Sequence, residues 1–488
     1  MKTSSHLAVD LGAESGRVIS GSFTDNRLHL KEIHRFQTGG VRLGEHLHWN
    51  FLNLWREIKR GLHLAGTSVR SIGLDTWGVD FGLLDAQDTL IGNPHHYRDS
   101  RTDGMMDAVF KIVPRDEVYG KTGIQFMQLN TLYQLFAMVK GKSSALASAE
   151  RLLNMPDLFN FFLTGEKANE FTISSTTQCY NPTQKNWDFE TLNKLGIPTK
   201  IFGEIVAPGT LLGKLRPSLA QEIGYSTSVI SSAGHDTACA IAAVPATGDD
   251  YIYLSSGTWS LMGVLLNQPI ISAESMAADM TNEGGFDGKI RFLKNIVGLW
   301  PVQECRRQWK REGQEYSYDD LTQMAEKAPP FASLVVPGNS RFLAPKNMQH
   351  EIQAFCQETG QVVPKSKGAI IRTVLESLAL EYRSVADQIE SLTGKEYPVI
   401  HIIGGGTQNK LLNQFAANAT GKSVVAGPIE ATAIGNILIQ AISMGEISSL
   451  AEGRSILKNS FDVESYTPKE TSSWDEAYYR YKELKKGI

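Results

Sequence analysis

Cysteine is scarce in this chain. Its 488 residues hold four, Cys179, Cys239, Cys305 and Cys356, and no two stand at a metal-ligand spacing. So few scattered thiols exclude a disulfide scaffold. An excess of one charge is lacking too. The formal net charge is -4, which argues against the basic field of a nucleic-acid binder. No apolar run approaches the roughly 18 residues needed to span a bilayer. The first residues, Met1 to Asp10, lack the basic-then-apolar order of a secretory leader. The expected compartment is the cytoplasm, where the acceptor-like triplet Asn418-Ala419-Thr420 carries no meaning. The one dense basic stretch, Arg306 to Arg311, reads as the solvated face of an amphipathic helix.

What remains is an ordinary globular composition, 42% apolar and 20% charged, in a chain too long for one core. Two domains are expected, residues 1–245 and 246–488. The first opens as a meander: Leu7 to Asp10 as strand, a glycine-punctuated turn from Leu11 to Gly16, then strands Arg17 to Phe23 and Leu28 to His34. A helix follows around Asn50 to Leu64, with Leu52, Leu54, Ile58 and Leu62 near one face. Ser71 to Asp75 and Val79 to Leu84 read as strands, and Ser228 to Ser232 as another before the apolar helix Ala238 to Val244. The opening phrase then recurs: strand Tyr251 to Leu254, turn Ser255 to Thr258, strand Ser260 to Leu265. In the second half, Gly368 to Leu392 carries a broad apolar stripe of Ile371, Val374, Leu375, Leu378, Tyr382, Val385 and Ile389. Strand Val399 to Ile403, the triplet Gly404-Gly405-Gly406, helix Lys410 to Ala419, strand Ser423 to Ala426 and helix Thr432 to Ser443 follow. That alternation implies a parallel α/β layer with crossover helices.

Both turns suit a phosphate, which needs closely spaced N–H donors and small residues. Ala13, Glu14, Ser15, Gly16 and Arg17 form the first, and Ser255 to Thr258 the second. Either alone reads first as a plain hairpin, and it is the two at matching positions in related halves that point to a polyphosphate. Asp10, beside the first turn, is a candidate Mg²⁺ ligand, directly or through water, or an Asx-turn residue. Asp236, just before an apolar helix, reads either as an N-cap or as a base accepting a hydroxyl proton. Trp77, between Asp75 and Asp80, suits the C–H face of a sugar or a core position. Tyr97 to Arg101 either lines the same site or forms a surface Arg–Asp pair. His95, His96 and His235 show no metal-ligand pattern. Gly421-Lys422-Ser423 and Gly120-Lys121-Thr122 fail as P-loops for want of the upstream glycine.

Taken together, Asp10-Leu11-Gly12, the repeat at Ser255 to Thr258, Gly234-His235-Asp236-Thr237 and the late glycine triplet resemble the FGGY carbohydrate kinases of the actin/hexokinase/Hsp70 superfamily. The resemblance implies an α/β fold of two ribonuclease-H-like (actin-like ATPase) domains flanking an active-site cleft, with ATP and Mg²⁺ as cofactors. Further segments, among them Ile72 to Phe81, Tyr97 to Thr102, Thr281 to Gly285 and His401 to Asn413, are similar to the family members that phosphorylate L-rhamnulose at O1. L-fuculose and L-xylulose are the alternative substrates. By this resemblance Ala13 to Arg17, Thr258, Gln303 and Gly405 bind ATP. Gly78, His235, Asp236, Thr237 and Asn295 hold the sugar, with Asp236 as general base and Asp10 toward Mg²⁺. Glu14 and Ala13 depart from the family's small hydroxyl residues, so Glu14 is expected to serve through its backbone N–H. A regulator on the same fold would carry a DNA-binding or peptide-binding extension, and none is read here. No nucleic-acid or membrane partner is expected, and no obligate protein partner is evident.

Overall fold

The computed structural model describes residues 5–343 and 345–487. Its contacts gather the chain into two units. One comprises the residues up to Thr247 with Leu265–Phe292 and Ala431–Phe461; the other comprises Gly248–Val264, Leu293–Glu430 and the residues from Asp462 on.

The first unit is built on six strands: β1 (Ser5–Leu11), β2 (Ser15–Thr24), β3 (Arg27–Gln37), β4 (Val69–Thr76), β5 (Thr210–Lys214) and β6 (Ser228–Ser231), in the order β5-β6-β4-β1-β2-β3. β1, β2 and β3 pair antiparallel, while β1, β4 and β6 run parallel. β1 lies between β2 and β4, and Leu7, Ala8, Val9 and Leu11 are wholly buried. A strand covered on both faces reads as a continuous apolar run rather than an alternation. The helix Phe51–Ala65, capped by the Asn50 side chain on the Asn53 N–H, buries Phe51, Leu54, Ile58 and Leu62. Leu52, expected on that face, is 71% exposed. Phe51 takes its place because it stacks on Phe159 at 4.8 Å and packs against Phe162.

The second sheet has seven strands, an edge strand at Thr281–Gly284 and then β7 (Ile252–Ser256), β8 (Trp259–Leu266), β9 (Ile290–Val297), β10 (Val399–Ile403), β11 (Ser423–Ala426) and β12 (Glu464–Tyr466), in the order β9-β8-β7-β10-β11-β12 from that edge. β7 and β8 are antiparallel, β7, β10 and β11 parallel, and β12 antiparallel to β11. Over β7 to β12 the strand order of the first sheet thus recurs, and with it the directions of β7, β8, β10, β11 and β12, as the repeated opening phrase implied. The helix Lys367–Thr393 buries all seven residues of its expected stripe. Its start is capped by the Ser366 side chain, and Gly394, in the left-handed region at φ 65°, ends it.

Two expectations change. The helix Ala431–Ser443 is not a crossover in the second unit; it belongs to the first. Its residues are buried almost all round, so one sheet face cannot cover it. Gly435 lets it lie against the Cys239 carbonyl, where any side chain would overlap. The basic stretch of helix Trp300–Arg311 is also only partly a solvated face. Arg306 donates to the Tyr316 carbonyl at 2.7 Å and covers the Tyr318 ring, and Arg307 covers Trp300. All four cysteines are free and buried. Among the described residues, no helix is long and apolar enough to cross a membrane.

Candidate active site

In the first unit the candidate residues gather at the ends of β1 and β4. Asp10 faces Asp75 across the parallel pair and Arg17 across the antiparallel one. It is buried and bound by the Arg17 guanidinium. Arg17 is therefore tied to a carboxylate as well as adjoining the turn. The turn itself is short, Gly12 to Glu14, closed by Gly12 N–H on the Ser15 carbonyl at 3.0 Å and by Thr38 Oγ1 on the Gly12 carbonyl at 2.7 Å. Ser15, Gly16 and Arg17 already lie in β2, and Gly16 is small because Phe36 packs 2.5 Å from where a Cβ would stand. Glu14 is exposed.

Asp75 is fully buried. One oxygen accepts from Asn436 Nδ2 at 2.6 Å and Oδ1 has no partner. Burial, reinforced by the Asp10 charge, pushes its pKa well above the usual carboxylate range.

Asp236 is not the N-cap. His235 occupies that position, and Asp236 is the first residue of the helix Asp236–Ala242. Its Oδ1 accepts from the Thr237 N–H at 2.6 Å and from the Thr237 hydroxyl at 3.1 Å. Burial and then the Asp10 charge raise its pKa to about 7, although 29% of the side-chain surface stays open to solvent. A carboxyl so placed exchanges a proton near neutrality.

His235 is held from behind. The buried Arg291 donates from Nη2 to His235 Nδ1 at 2.8 Å and to Glu283 Oε2 at 3.0 Å. Arg291 Nε also bonds the Gly284 carbonyl. With Nδ1 accepting, the imidazole proton resides on Nε2, which faces Asp236 Oδ1 at 3.4 Å. Burial, then the Arg291 charge, lowers the His235 pKa well below its usual value, so the ring is neutral. Gly78 completes the group: a Cβ there would stand 3.4 Å from His235 Nε2. Next to it, Val79 has φ 68°, a strained value for a β-branched residue and one that clusters at binding sites. Thr131, Gln134 and Thr176 hydrogen-bond its backbone and hold it there.

Trp77 takes its core alternative. It is 5% exposed and stacks on Trp49 at 3.7 Å. Both indole N–H groups donate to Asp80 Oδ2, whose pKa burial raises to about 6. Asp99 forms no simple surface Arg–Asp pair. It is buried and accepts from the Leu47 and Arg101 N–H groups. Burial, then Arg101, lowers the His95 pKa to about 3, leaving a neutral imidazole.

In the second unit, Thr258 and Gln303 come together, the Thr258 hydroxyl bonding Gln303 Oε1 at 3.0 Å. The turn also meets the start of the helix Trp300–Arg311, with Gly298 N–H on the Thr258 carbonyl and Leu299 N–H on that of Gly257. The glycine triplet packs on Ser256: Gly404 has φ 86°, and a Cβ at Gly406 would overlap the Ser256 side chain. Gly405 faces open space. Asn295 stands half-buried on β9.

Sequence reasoning missed Asp75 as a site carboxylate, and it missed Asn436, Glu283 and Arg291. One signal existed. Arg291 interrupts the apolar run Ile290 to Leu293, and a charge inside a buried strand requires a partner.

Residues 7–243 match the N-terminal domain, and residues 252–444 the C-terminal domain, of the FGGY family of carbohydrate kinases. The chain belongs to that family. It is 45% identical over 480 residues to a rhamnulokinase of Bacteroides thetaiotaomicron, covering 98% of each chain. It is 45% identical over 463 residues to one of Halalkalibacterium halodurans, covering 94% of this chain and 98% of the relative. Among solved structures, a ligand-bound xylulose kinase from Lactobacillus acidophilus superposes with a TM-score of 0.82 at 15% identity, covering 99% and 98% of the two chains. A Plasmodium falciparum glycerol kinase with ADP superposes at 0.77 and 15% identity, covering 98% of each. These likenesses establish the two-domain FGGY kinase fold. The residues gathered around Asp236 and Thr258 accordingly belong to a carbohydrate kinase, a phosphotransferase with a sugar and a nucleotide as substrates.

Proposed function

We propose that this chain transfers the γ-phosphoryl group of MgATP to O1 of L-rhamnulose, giving L-rhamnulose 1-phosphate and ADP. The observation that carries the chemistry is Asp236: a carboxyl raised to about 7, oriented by Thr237 and faced by the Nε2–H of a neutral His235. The substrate rests on relatives named rhamnulokinase that match over nearly the whole chain.

As the O1–P bond forms, the bond from the γ-phosphorus to the β,γ-bridging oxygen breaks and ADP leaves. Asp236 takes the O1 proton. A carboxylate is a weak base against an alcohol, so that transfer comes late and positioning matters as much as basicity. Gly78, His235, Thr237 and Asn295 hold the sugar, with His235 kept in one tautomer by Arg291. Ala13, Glu14, Ser15, Gly16 and Arg17 cradle the phosphates through their backbone and the Arg17 charge. Thr258, Gln303 and Gly405 contact the nucleotide, Gly405 offering the open face a planar ring requires. We place the family's N-terminal and C-terminal domains in the chain as 1–245 and 246–488. The hard carboxylate oxygens of Asp10 fit Mg²⁺, with the unpartnered Asp75 oxygen beside them to receive a water. Mg²⁺ bound there supplies charge neutralisation to the phosphates. Use of ATP places the reaction in the cytoplasm.

The test is coupled ADP release with MgATP and L-rhamnulose, L-fuculose, L-xylulose, D-xylulose, D-ribulose or glycerol. The highest kcat/KM is expected for L-rhamnulose. A higher value for L-fuculose or L-xylulose overturns the substrate and keeps the reaction. No turnover with any acceptor overturns both.

A further inference from the structure

The hairpin Gly40–Leu43 and His46–Trp49 forms a small sheet of its own, and it is zipped onto the segment that carries Pro94 to Asp99. Trp49 N–H bonds the Pro94 carbonyl and His96 N–H the Leu47 carbonyl, each at 2.9 Å. His48 and His95 pair as an isolated bridge. This docking collects imidazoles that the sequence keeps far apart. The His46 and His95 ring centres are 5.6 Å apart, and His48 and His95 4.3 Å.

Asp99 lies against the same rings. Its orientation is set by the Leu47 N–H at 2.6 Å and the Arg101 N–H at 3.1 Å, and Oδ1 meets His46 Nδ1 at 3.1 Å. The ligand atoms of His46, His95 and Asp99 all lie within 4.8 Å of one another. Ligands around a tetrahedral zinc ion, bound at about 2.0–2.2 Å, are themselves a little over 3 Å apart. A rotation of the exposed His46 side chain closes the remaining distance. His48 is outside this group; its Nδ1 bonds the Asn93 carbonyl and its ring backs His95.

We propose that His46, His95 and Asp99 form a site for a zinc-class divalent cation, with water completing the coordination, that pins the hairpin to the 94–99 segment. Two imidazole nitrogens and one carboxylate oxygen are a borderline-soft donor set, suited to zinc or cobalt rather than to Mg²⁺. Asp99, held by two backbone N–H groups, is already oriented as a ligand. The opposing charge is Arg101, whose Nε lies 3.8 Å from Asp99 Oδ1 and whose Nη2 donates to Gln134 Oε1 at 2.6 Å; a bound cation and Arg101 would share the Asp99 charge. None of the three is assigned to the sugar or the nucleotide, so the site stands whether or not the proposed kinase reaction does.

The test uses tag-free full-length chain stripped of metal with a chelator and titrated with cobalt chloride. One equivalent should give the visible d–d bands of low-coordinate, His-ligated cobalt, and zinc sulfate should abolish them. His46→Asn and His95→Asn should each weaken cobalt binding by more than about tenfold, with kcat on sugar and MgATP unchanged. Metal should raise the Tm of the native chain and leave that of the variants where it was. No bands, or bands that persist in His46→Asn, overturn the site. Because His46 is half exposed, that variant folds and decides the matter even if His95→Asn does not.

Discussion

Replacing Asp236 by Asn removes one proton acceptor and little else. The amide oxygen can still accept from the Thr237 N–H and hydroxyl, which hold the native carboxylate at 2.6 and 3.1 Å. The Nε2–H of His235, 3.4 Å away, still faces an oxygen. The helix start therefore survives, and the loss falls on kcat. A general base contributes about 10²–10⁴-fold, or about 3–5 kcal/mol of barrier. The pH profile sharpens the test. With a pKa raised to about 7, the carboxyl is about one-tenth ionised one pH unit lower. kcat/KM for the sugar, which reports the chain before sugar binds, should climb about tenfold per unit below neutrality and level off above it. Asp236→Asn should lack that limb. Coupled ADP release over a pH series reads both effects. Near-normal turnover in the variant, or an acid limb identical to that of the native chain, refutes the role of Asp236.

Four further substitutions probe the scaffold and the nucleotide site. Arg291→Gln leaves Glu283 buried without its cation, an expected cost of about 3–5 kcal/mol in urea unfolding, together with a fall in kcat as His235 loses its anchor; an unchanged midpoint would contradict the pairing. Gly435→Ala forces a methyl onto the Cys239 carbonyl oxygen and should cost about 1–3 kcal/mol or more, visible as a lowered Tm. Gly405→Leu, placed in open space, should keep its Tm yet raise the KM for ATP, whereas Gly406→Ala, pressed against Ser256, should lose Tm as well. An unchanged KM in Gly405→Leu removes that glycine from the nucleotide site.

Local pattern sufficed for much of the scaffold. β10 and β11 span the residues expected of them, Val399–Ile403 and Ser423–Ala426, and all seven residues of the long stripe in Lys367–Thr393 are buried. Periodicity and capping act within a few residues, so they are legible in a single sequence. The repeated strand-turn-strand phrase likewise announced two related sheets. Leu52 marks where local pattern fails: Leu52 and Phe51 compete for one helix face, and only the Phe159 ring decides.

The site was legible in its residue types and not in its electrostatics. Whether Asp236 caps a helix or accepts a proton depends on Asp10, Arg291 and burial, none of them close to it in sequence. Asp75 owes its one donor to Asn436, on a helix that joins the first unit from beyond the second unit's long helix. The amino-acid sequence by itself determined the elements, the doubled architecture and the chemically competent side chains. Tertiary structure alone decided which carboxyls share a field, which histidine tautomer is held and which sheet receives the helix Ala431–Ser443. Those outcomes depend on desolvation and on pairing between segments 56 residues apart at His235 and Arg291 and 361 apart at Asp75 and Asn436, and no local preference encodes them.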